Sequence, residues 1–268
     1  MKKVISLLLM TICAGLLFAG GTKEMTEGDN SLKYIQDKGV LVLGLDDSFP
    51  PMGFRDENGD VAGFDIDLAK EVASRMGVKL EMQPIDWDAK ILDLNSKDID
   101  VIWNGLTITD ERKGKIEFSK PYIANRQIVI VQKASGITTK ADLDGKTVGI
   151  QLSSSADDAV NGDPATVATL KEIVKYQDNV QALMDLETGR IDAVVVDEIL
   201  GRYYISKKPG VYAVASEDFG AEEYGIGFRK DEVAFVAEVD RIMDEMAKDG
   251  TAASISKKWF AEDILLAR

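Results

Sequence analysis

The chain has 268 residues, 45% hydrophobic and 29% charged, enough for one large domain or two lobes around a substantial core. Its formal charge of −14 argues against binding to nucleic acid or an anionic membrane surface, which needs Lys and Arg in excess. The absence of histidine excludes Ser-His-Asp and Cys-His catalysis, His-containing zinc sites and the usual proton shuttle at neutral pH.

In chain order, residues 1–20 read as a secretory signal. Lys2 and Lys3 precede an apolar stretch, Val4 to Ala19, that is short for a membrane span and ends in small residues. The only cysteine, Cys13, lies inside it, so neither disulfides nor thiol chemistry are expected after processing. The cleavage region has Gly21 where a lipoprotein would carry its lipidated Cys, which leaves a lipid anchor open. Residues 21–30 are polar and aperiodic and read as a flexible tether.

From residue 31 strands and helices alternate, the pattern of an α/β fold with largely parallel strands. Residues 40–45 form an apolar strand ending at Asp46, and 55–60 a hairpin turn centred on Asn58-Gly59. Asp56, Asn58, Asp60 and Asp67 have calcium-loop spacing. Val61 stands where that loop needs Gly and Asp67 falls in the next helix, so no metal is expected. Asp65 is expected to cap an amphipathic helix bearing Ile66, Leu68, Ala69, Val72, Ala73 and Met76, stopped by Gly77. Residues 78–84 are the next strand. Segments 91–103 and 183–195 share one grammar: a helix end, a turn, Ile-Asp, and a buried strand. If this is a true repeat, the chain builds two similar lobes, 31–123 with 223–268 and 128–215. One seam lies near 121–127, before a strand at 128–132. The other is the Glu-, Asp- and Gly-rich stretch 216–223, before a short strand at 224–228 and a helix at 232–248. Two crossings make a hinge, and open α/β sheets bind ligands at the carboxyl ends of their strands.

Four strand ends carry candidate residues. The first gives Asp46 and Phe49. The second follows Asp86-Trp87-Asp88 and gives Asn104, Gly105, Thr107 and Arg112. The third gives Gln151, then Leu152 and the serines Ser153, Ser154 and Ser155. The fourth gives Asp197. Arg112 is the odd member. It sits three residues after Thr109, a good N-cap, where a capping box would place Glu or Gln, and a cation there opposes the helix dipole. Beside hydroxyls and free backbone N–H groups it can take a carboxylate by a two-pronged hydrogen bond, or it is a solvated surface residue. The serines could simply cap a loop, Asp197 could cap its own helix, and Phe49 and Trp87 could be core. Together, these residues offer Arg112 and the serine loop to a carboxylate, Asp197 and Asp46 to an ammonium, and two aromatic walls. The matching ligand is a free amino acid.

Gly63-Phe64-Asp65-Ile66-Asp67-Leu68, the run Gly105 to Arg112 followed by Phe118-Ser119-Lys120-Pro121-Tyr122, Val148-Gly149-Ile150-Gln151, and Asp197 carry a resemblance. Over nearly all of 31–263 the chain resembles the bacterial extracellular solute-binding proteins of polar-amino-acid ABC transporters, family 3. The resemblance implies a two-lobed periplasmic-binding-protein type II fold with two hinge crossings and the ligand cleft between the lobes. It implies that Arg112 pairs with the ligand α-carboxylate, assisted by Thr107 and backbone near Gly105, with Ser154 holding the same group from the other lobe. Asp197 would take the α-ammonium, Phe49 and Trp87 would sandwich the side chain, and Asp46 and Asn104 would line its far end. Gln151 and Ser153 are counted in the binding loop. Leu152 stands where the family usually has Gly. The implied protein is a monomer without cofactor that hands its ligand to a permease, in the periplasm or on the outer face of the cytoplasmic membrane. A polar side chain is expected, with a basic one preferred. A cyclohexadienyl-dehydratase-like enzyme and a sensor reporting to a membrane receptor are the alternatives. The end of the chain at Arg268 without a second membrane segment counts against a fused sensor.

Overall fold

The computed structural model describes residues 28–268, so the expected signal segment, Cys13 and Gly21 lie outside the described residues. After a first helix, α1 (Ser31–Lys38), β1 (Val40–Leu45) forms where the apolar run predicts it, with Leu41, Leu43 and Leu45 buried. The short strands β2 (Ser48–Phe49), β3 (Gly53–Arg55) and β4 (Val61–Ala62) make a small antiparallel sheet, and the Asn58-Gly59 turn joins the last two. Helix α2 (Phe64–Met76) buries the apolar face read from the sequence and stops at Gly77, whose φ of 77° suits glycine. Its N-cap position is Gly63, not Asp65: the Asp65 carboxylate makes no capping bond and leaves the helix for the interior.

Next come β5 (Lys79–Pro84), α3 (Lys90–Ser96), β6 (Val101–Ile102), α4 (Asp110–Lys115) and β7 (Glu117–Phe118). The long strand β8 (Ile123–Gln132) leads to β9 (Thr147–Gln151), α5 (Ser155–Asn161), α6 (Pro164–Val167), β10 (Glu172–Tyr176), α7 (Asn179–Glu187), β11 (Ala193–Asp197) and α8 (Glu198–Lys207). The 13-residue strand β12 (Tyr212–Tyr224) returns to β13 (Gly227–Phe228), α9 (Val233–Asp249) and α10 (Thr251–Phe260).

Two five-stranded sheets carry two lobes, in the orders β5-β1-β6-β13-β7 and β10-β9-β11-β8-β12. In each, the first three strands run parallel and the fourth is antiparallel to the third. The segments 91–103 and 183–195 occupy the same place in both, as α3 with β6 and α7 with β11. Buried parallel strands need apolar side chains on both faces, and Ala193, Val194, Val195 and Val196 are all fully covered.

The chain passes between the sheets along β8 and β12, paired antiparallel with Glu222 opposite Asn125 and Tyr224 opposite Ile123. The polar stretch 216–223, read from sequence as a break, is part of β12. This is an edge strand with register shifts between Val214 and Asp218 and between Asp218 and Ala221. Such irregular edges tolerate the Glu, Asp and Gly that a buried strand would not. Asp29, at the end of the segment expected as a tether, accepts hydrogen bonds from Ser31 N and Ala234 N (2.9 and 2.6 Å). Among the described residues no helix is long and apolar enough to cross a membrane.

Candidate functional site

The strand ends of the two sheets face each other across a narrow cavity of about 10 Å³, lined by both lobes. The first lobe contributes Asp46 and Phe49 after β1, Trp87 in the tight turn after β5, Asn104 and Gly105 after β6, and Arg112 from α4. The second contributes Gln151 at the end of β9, Ser154 and Ser155 at the start of α5, and Asp197 at the end of β11. Of the residues singled out from sequence, Thr107 and Ser153 do not line it, nor do Asp86, Asp88 and Leu152.

Arg112 is not a surface residue: it is 5% exposed. Thr109 caps α4 by accepting from Arg112 N–H (3.1 Å), which fixes the first turn. The guanidinium then folds inward, donating from Nη1 to Thr107 O (2.9 Å) and more weakly from Nη2 to Ser153 O (3.4 Å). Burial pushes its pKa down, opposed by the charges of Asp158, Glu222 and Asp197, and it stays a cation.

Gly105 is held in the left-handed region, φ 59°, by its N–H bond to Asp65 Oδ2 (2.8 Å). Tyr122 donates its hydroxyl to both Asp65 oxygens (2.9 Å each). The Asp65 carboxyl is fully buried, and desolvation raises its pKa to about 7 against those three hydrogen bonds. Two motifs far apart in the chain, Gly63 to Leu68 and Gly105 to Tyr122, therefore meet at one carboxylate directly behind the cavity wall.

At the far end, Asp46 accepts from Ser48 N–H (2.9 Å), Ser48 Oγ–H (2.6 Å) and Gln151 Nε2–H (2.8 Å), while burial raises its pKa. Asn179 Nδ2 donates to Gln151 Oε1 (2.9 Å) and so sets the amide's orientation. In the orientation that satisfies both its ends, the Asn104 amide donates to Asp46 O and accepts from Gly53 N–H, each at 3.0 Å.

Where the two lobes meet, the structure differs from the sequence reading at Thr107, Ser153 and Ser154. The Thr107 hydroxyl turns away from the cavity, donating to Glu222 Oε1 (2.8 Å) and lying 2.9 Å from Ser155 Oγ. Ser153 has φ 56°, and its carbonyl points behind the loop. Ser154 caps α5, accepting from Asp157 N–H (3.2 Å) and donating to Gln151 O (2.8 Å). The hydroxyl placed in the cavity without a capping duty is Ser155. Asp197 makes no capping bond to α8. Its Oδ1 accepts from Asn125 Nδ2 (2.6 Å) and Tyr224 OH (2.7 Å). Asn125 Nδ2 also donates to Glu222 Oε1 (2.6 Å), as does Gln127 Nε2 (2.7 Å). Desolvation first, and the Glu222 charge second, raise the Asp197 pKa well above the ordinary carboxylate range.

Sequence reasoning missed Glu222, Asn125 and Gln127, and it took Asp65 for a helix cap. The first three meet only because β8 and β12 pair in one register, which no local pattern encodes. Asp65 could have been found from its place in an apolar helix start with two nearby glycines and no need for a cap.

Residues 41–262 match the family model of the bacterial extracellular solute-binding proteins, family 3. The chain belongs to this family. It is 33% identical over 258 residues to the L-cystine-binding protein TcyJ of Escherichia coli (strain K12), covering 96% of each chain. It is 30% identical over 263 residues to the arginine-binding extracellular protein ArtP of Bacillus subtilis (strain 168), covering 97% of this chain and 98% of ArtP. The fold is similar to the crystal structure of an ABC uptake transporter substrate binding protein from Streptococcus pneumoniae with bound histidine. The TM-score is 0.86 at 38% identity, covering 90% of this chain and all of that one. The two lobes therefore form the type II two-lobed fold of the family, and these relatives are binding proteins.

Proposed function

We propose that this family 3 protein captures a free polar amino acid, with a basic side chain preferred, outside the cytoplasmic membrane. The lobes close around the ligand by bending at β8 and β12, and the closed form is handed, as a monomer, to the permease of an ABC importer. The observation that carries this reading is that Arg112 of the first lobe and Asp197 of the second line one cavity. A guanidinium and a carboxyl group on opposite sides match the carboxylate and ammonium that all amino acids share, and the arriving ammonium favours the charged form of Asp197. A zwitterion bridging them contacts both lobes only when they are closed, so binding favours closure by differential contact. Asp46 at the far end, without a cation beside it in the cavity, favours a basic or neutral polar side chain over an acidic one. Relatives named for arginine and cystine and a neighbour holding histidine support the ligand class. Ser155 joins Arg112 on the carboxylate side, and Ser154 acts through the loop it caps.

A thermal-shift screen across the twenty amino acids and cystine tests the reading, since a ligand at 100 times its Kd adds about 2.7 kcal/mol. Titration calorimetry on Arg112→Ala follows. A screen with no hit, or undiminished affinity in Arg112→Ala, would sink the assignment. The raised Asp197 pKa is also what a dehydratase-type acid would need, so prephenate and arogenate belong in the same plate, with no turnover expected.

A further inference from the structure

Lys90 begins α3, yet its side chain is turned inward and is 4% exposed. A buried lysine needs partners. Its Nζ donates to Trp87 O (2.8 Å) and Ser153 O (2.9 Å), and lies 4.9 Å from the centre of the Trp87 ring. Trp87 and Lys90 follow β5 in the first lobe, whereas Ser153 follows β9 in the second. The amine therefore ties the backbone of one lobe to the other through protein atoms alone. The accepting carbonyl belongs to a residue at φ 56°, a conformation that costs an L-residue roughly 1 kcal/mol and persists only when neighbours hold it. Arg112 Nη2 approaches the same carbonyl at 3.4 Å.

We propose that Lys90 is a cross-cleft latch: it fastens the Ser153 loop to the first lobe and seats the Trp87 ring at the cavity, and so sets the closed population and the rate of ligand release. It is a positioning residue, acting through the Ser153 loop and Trp87. The inference rests on closure about β8 and β12 as read above, and not on which amino acid is bound.

The groups facing the amine are Asp88 from its own turn, Glu111, Arg112 and Lys115 from α4, and Asp157 and Asp158 from α5. Burial first and Arg112 second push the Lys90 pKa down to about 7, against Asp158 and Asp88. In an opened cleft the amine meets water and titrates near the ordinary lysine value of about 10.4. The closed form thus binds fewer protons between about pH 7 and 10, so closure strengthens as pH rises through that window and levels off below it. The neutral amine keeps two N–H donors, one for each carbonyl.

The test is an interlobe distance measurement on ligand-free protein labelled at Asn95→Cys and Lys171→Cys, both exposed and one in each lobe. The closed-to-open ratio should rise at least about tenfold from pH 7 to 9. Lys90→Met should lower that ratio at pH 9 and abolish the rise, and Lys90→Arg, which keeps donors but not the titration, should be flat with pH. If Lys90→Met unfolds, Lys90→Gln serves the same comparison. A Met or Gln variant as closed as the parent at pH 9, or retaining its pH slope through Asp197 or another group, overturns the latch. Dissociation of L-arginine, L-histidine or L-cystine, whichever binds, should be faster in the variant at pH 9. No binding by any amino acid would refute the proposed ligand while leaving the ligand-free distances to judge Lys90.

Discussion

Gln151 donates its amide to the carboxylate of Asp46 at 2.8 Å, a bond from the end of β9 to the end of β1 that closes the far end of the cavity. With the two Ser48 donors, three of the roughly four lone-pair sites of Asp46 are taken. The remaining site suits one donor from a guanidinium, ammonium or imidazole. Asp46→Asn keeps acceptors for Ser48 but loses the charge. It should weaken L-arginine binding by about tenfold or more, 1.4 kcal/mol upward, while changing a neutral polar ligand less than about threefold. Paired calorimetric titrations decide it. An equal loss for both ligands would mean that Asp46 only shapes the lobe interface.

Asp197 and Glu222 share the donor Asn125 Nδ2, at 2.6 Å from each. Because the folded-state pKa of Asp197 is raised, the folded chain binds more protons than the unfolded one above the ordinary carboxylate pKa. Stability is therefore lost as pH rises from that value through the raised one. Glu222→Gln removes the neighbouring charge and keeps a carbonyl acceptor. The fall in Tm between pH 5 and 8 should be smaller in this variant by about 2–4 °C, the equivalent of about 1 kcal/mol for a chain of this size. Calorimetric scans at the two pH values test it, and parallel Tm curves for parent and variant would remove Glu222 from the coupling.

Local signals carried much of this architecture. The apolar run at 40–45, the Asn58-Gly59 turn and the Gly77 stop all lie where periodicity and turn chemistry put them. Arg112 stood out because it contradicts the helix around it. What the sequence hid was long-range. Thr107 looks like a ligand hydroxyl until β12 brings Glu222 beside it. Ser154 looks freer than Ser155 until the helix begins one residue later and takes its hydroxyl as a cap. Lys90 looks like a solvated first-turn residue, because nothing nearby in the sequence says that Ser153 O lies above it.

Asp65 supports the site from behind, and its replacement separates two effects. Asp65→Ala leaves Gly105 N–H and Tyr122 OH buried without their acceptor, an expected loss of about 2–4 kcal/mol. Asp65→Asn retains one acceptor and should lose less. The folded pKa of about 7 lies above the ordinary 3.8, so the charged group weakens the fold progressively as pH rises from about 4 to 7 and by a constant amount above. Urea unfolding at pH 5 and 8 should show a smaller pH difference in Asp65→Asn than in the parent. An unchanged difference would mean that the carboxyl is ionised throughout.

Gly105 permits a final test that separates strain from site geometry. At φ 59° a side chain is strained, and a Cβ there would lie 2.9 Å from Phe49 Cε1 and 3.2 Å from Tyr224 Cε2. Phe49 walls the cavity and Tyr224 donates to Asp197, so one methyl group displaces both an apolar wall and a hydrogen bond to the ammonium partner. Gly59, at φ 85°, has nothing within 4 Å of the same added atom. Both Gly→Ala variants should lose roughly 1 kcal/mol from the left-handed conformation, and Gly105→Ala about 1–3 kcal/mol more from overpacking. Affinity for the amino acid returned by the thermal screen should fall at least about tenfold in Gly105→Ala and stay within about twofold in Gly59→Ala, because binding reads only displaced site atoms. Equal affinities in the two variants would show that the Phe49 and Tyr224 rings can shift without consequence for the ligand.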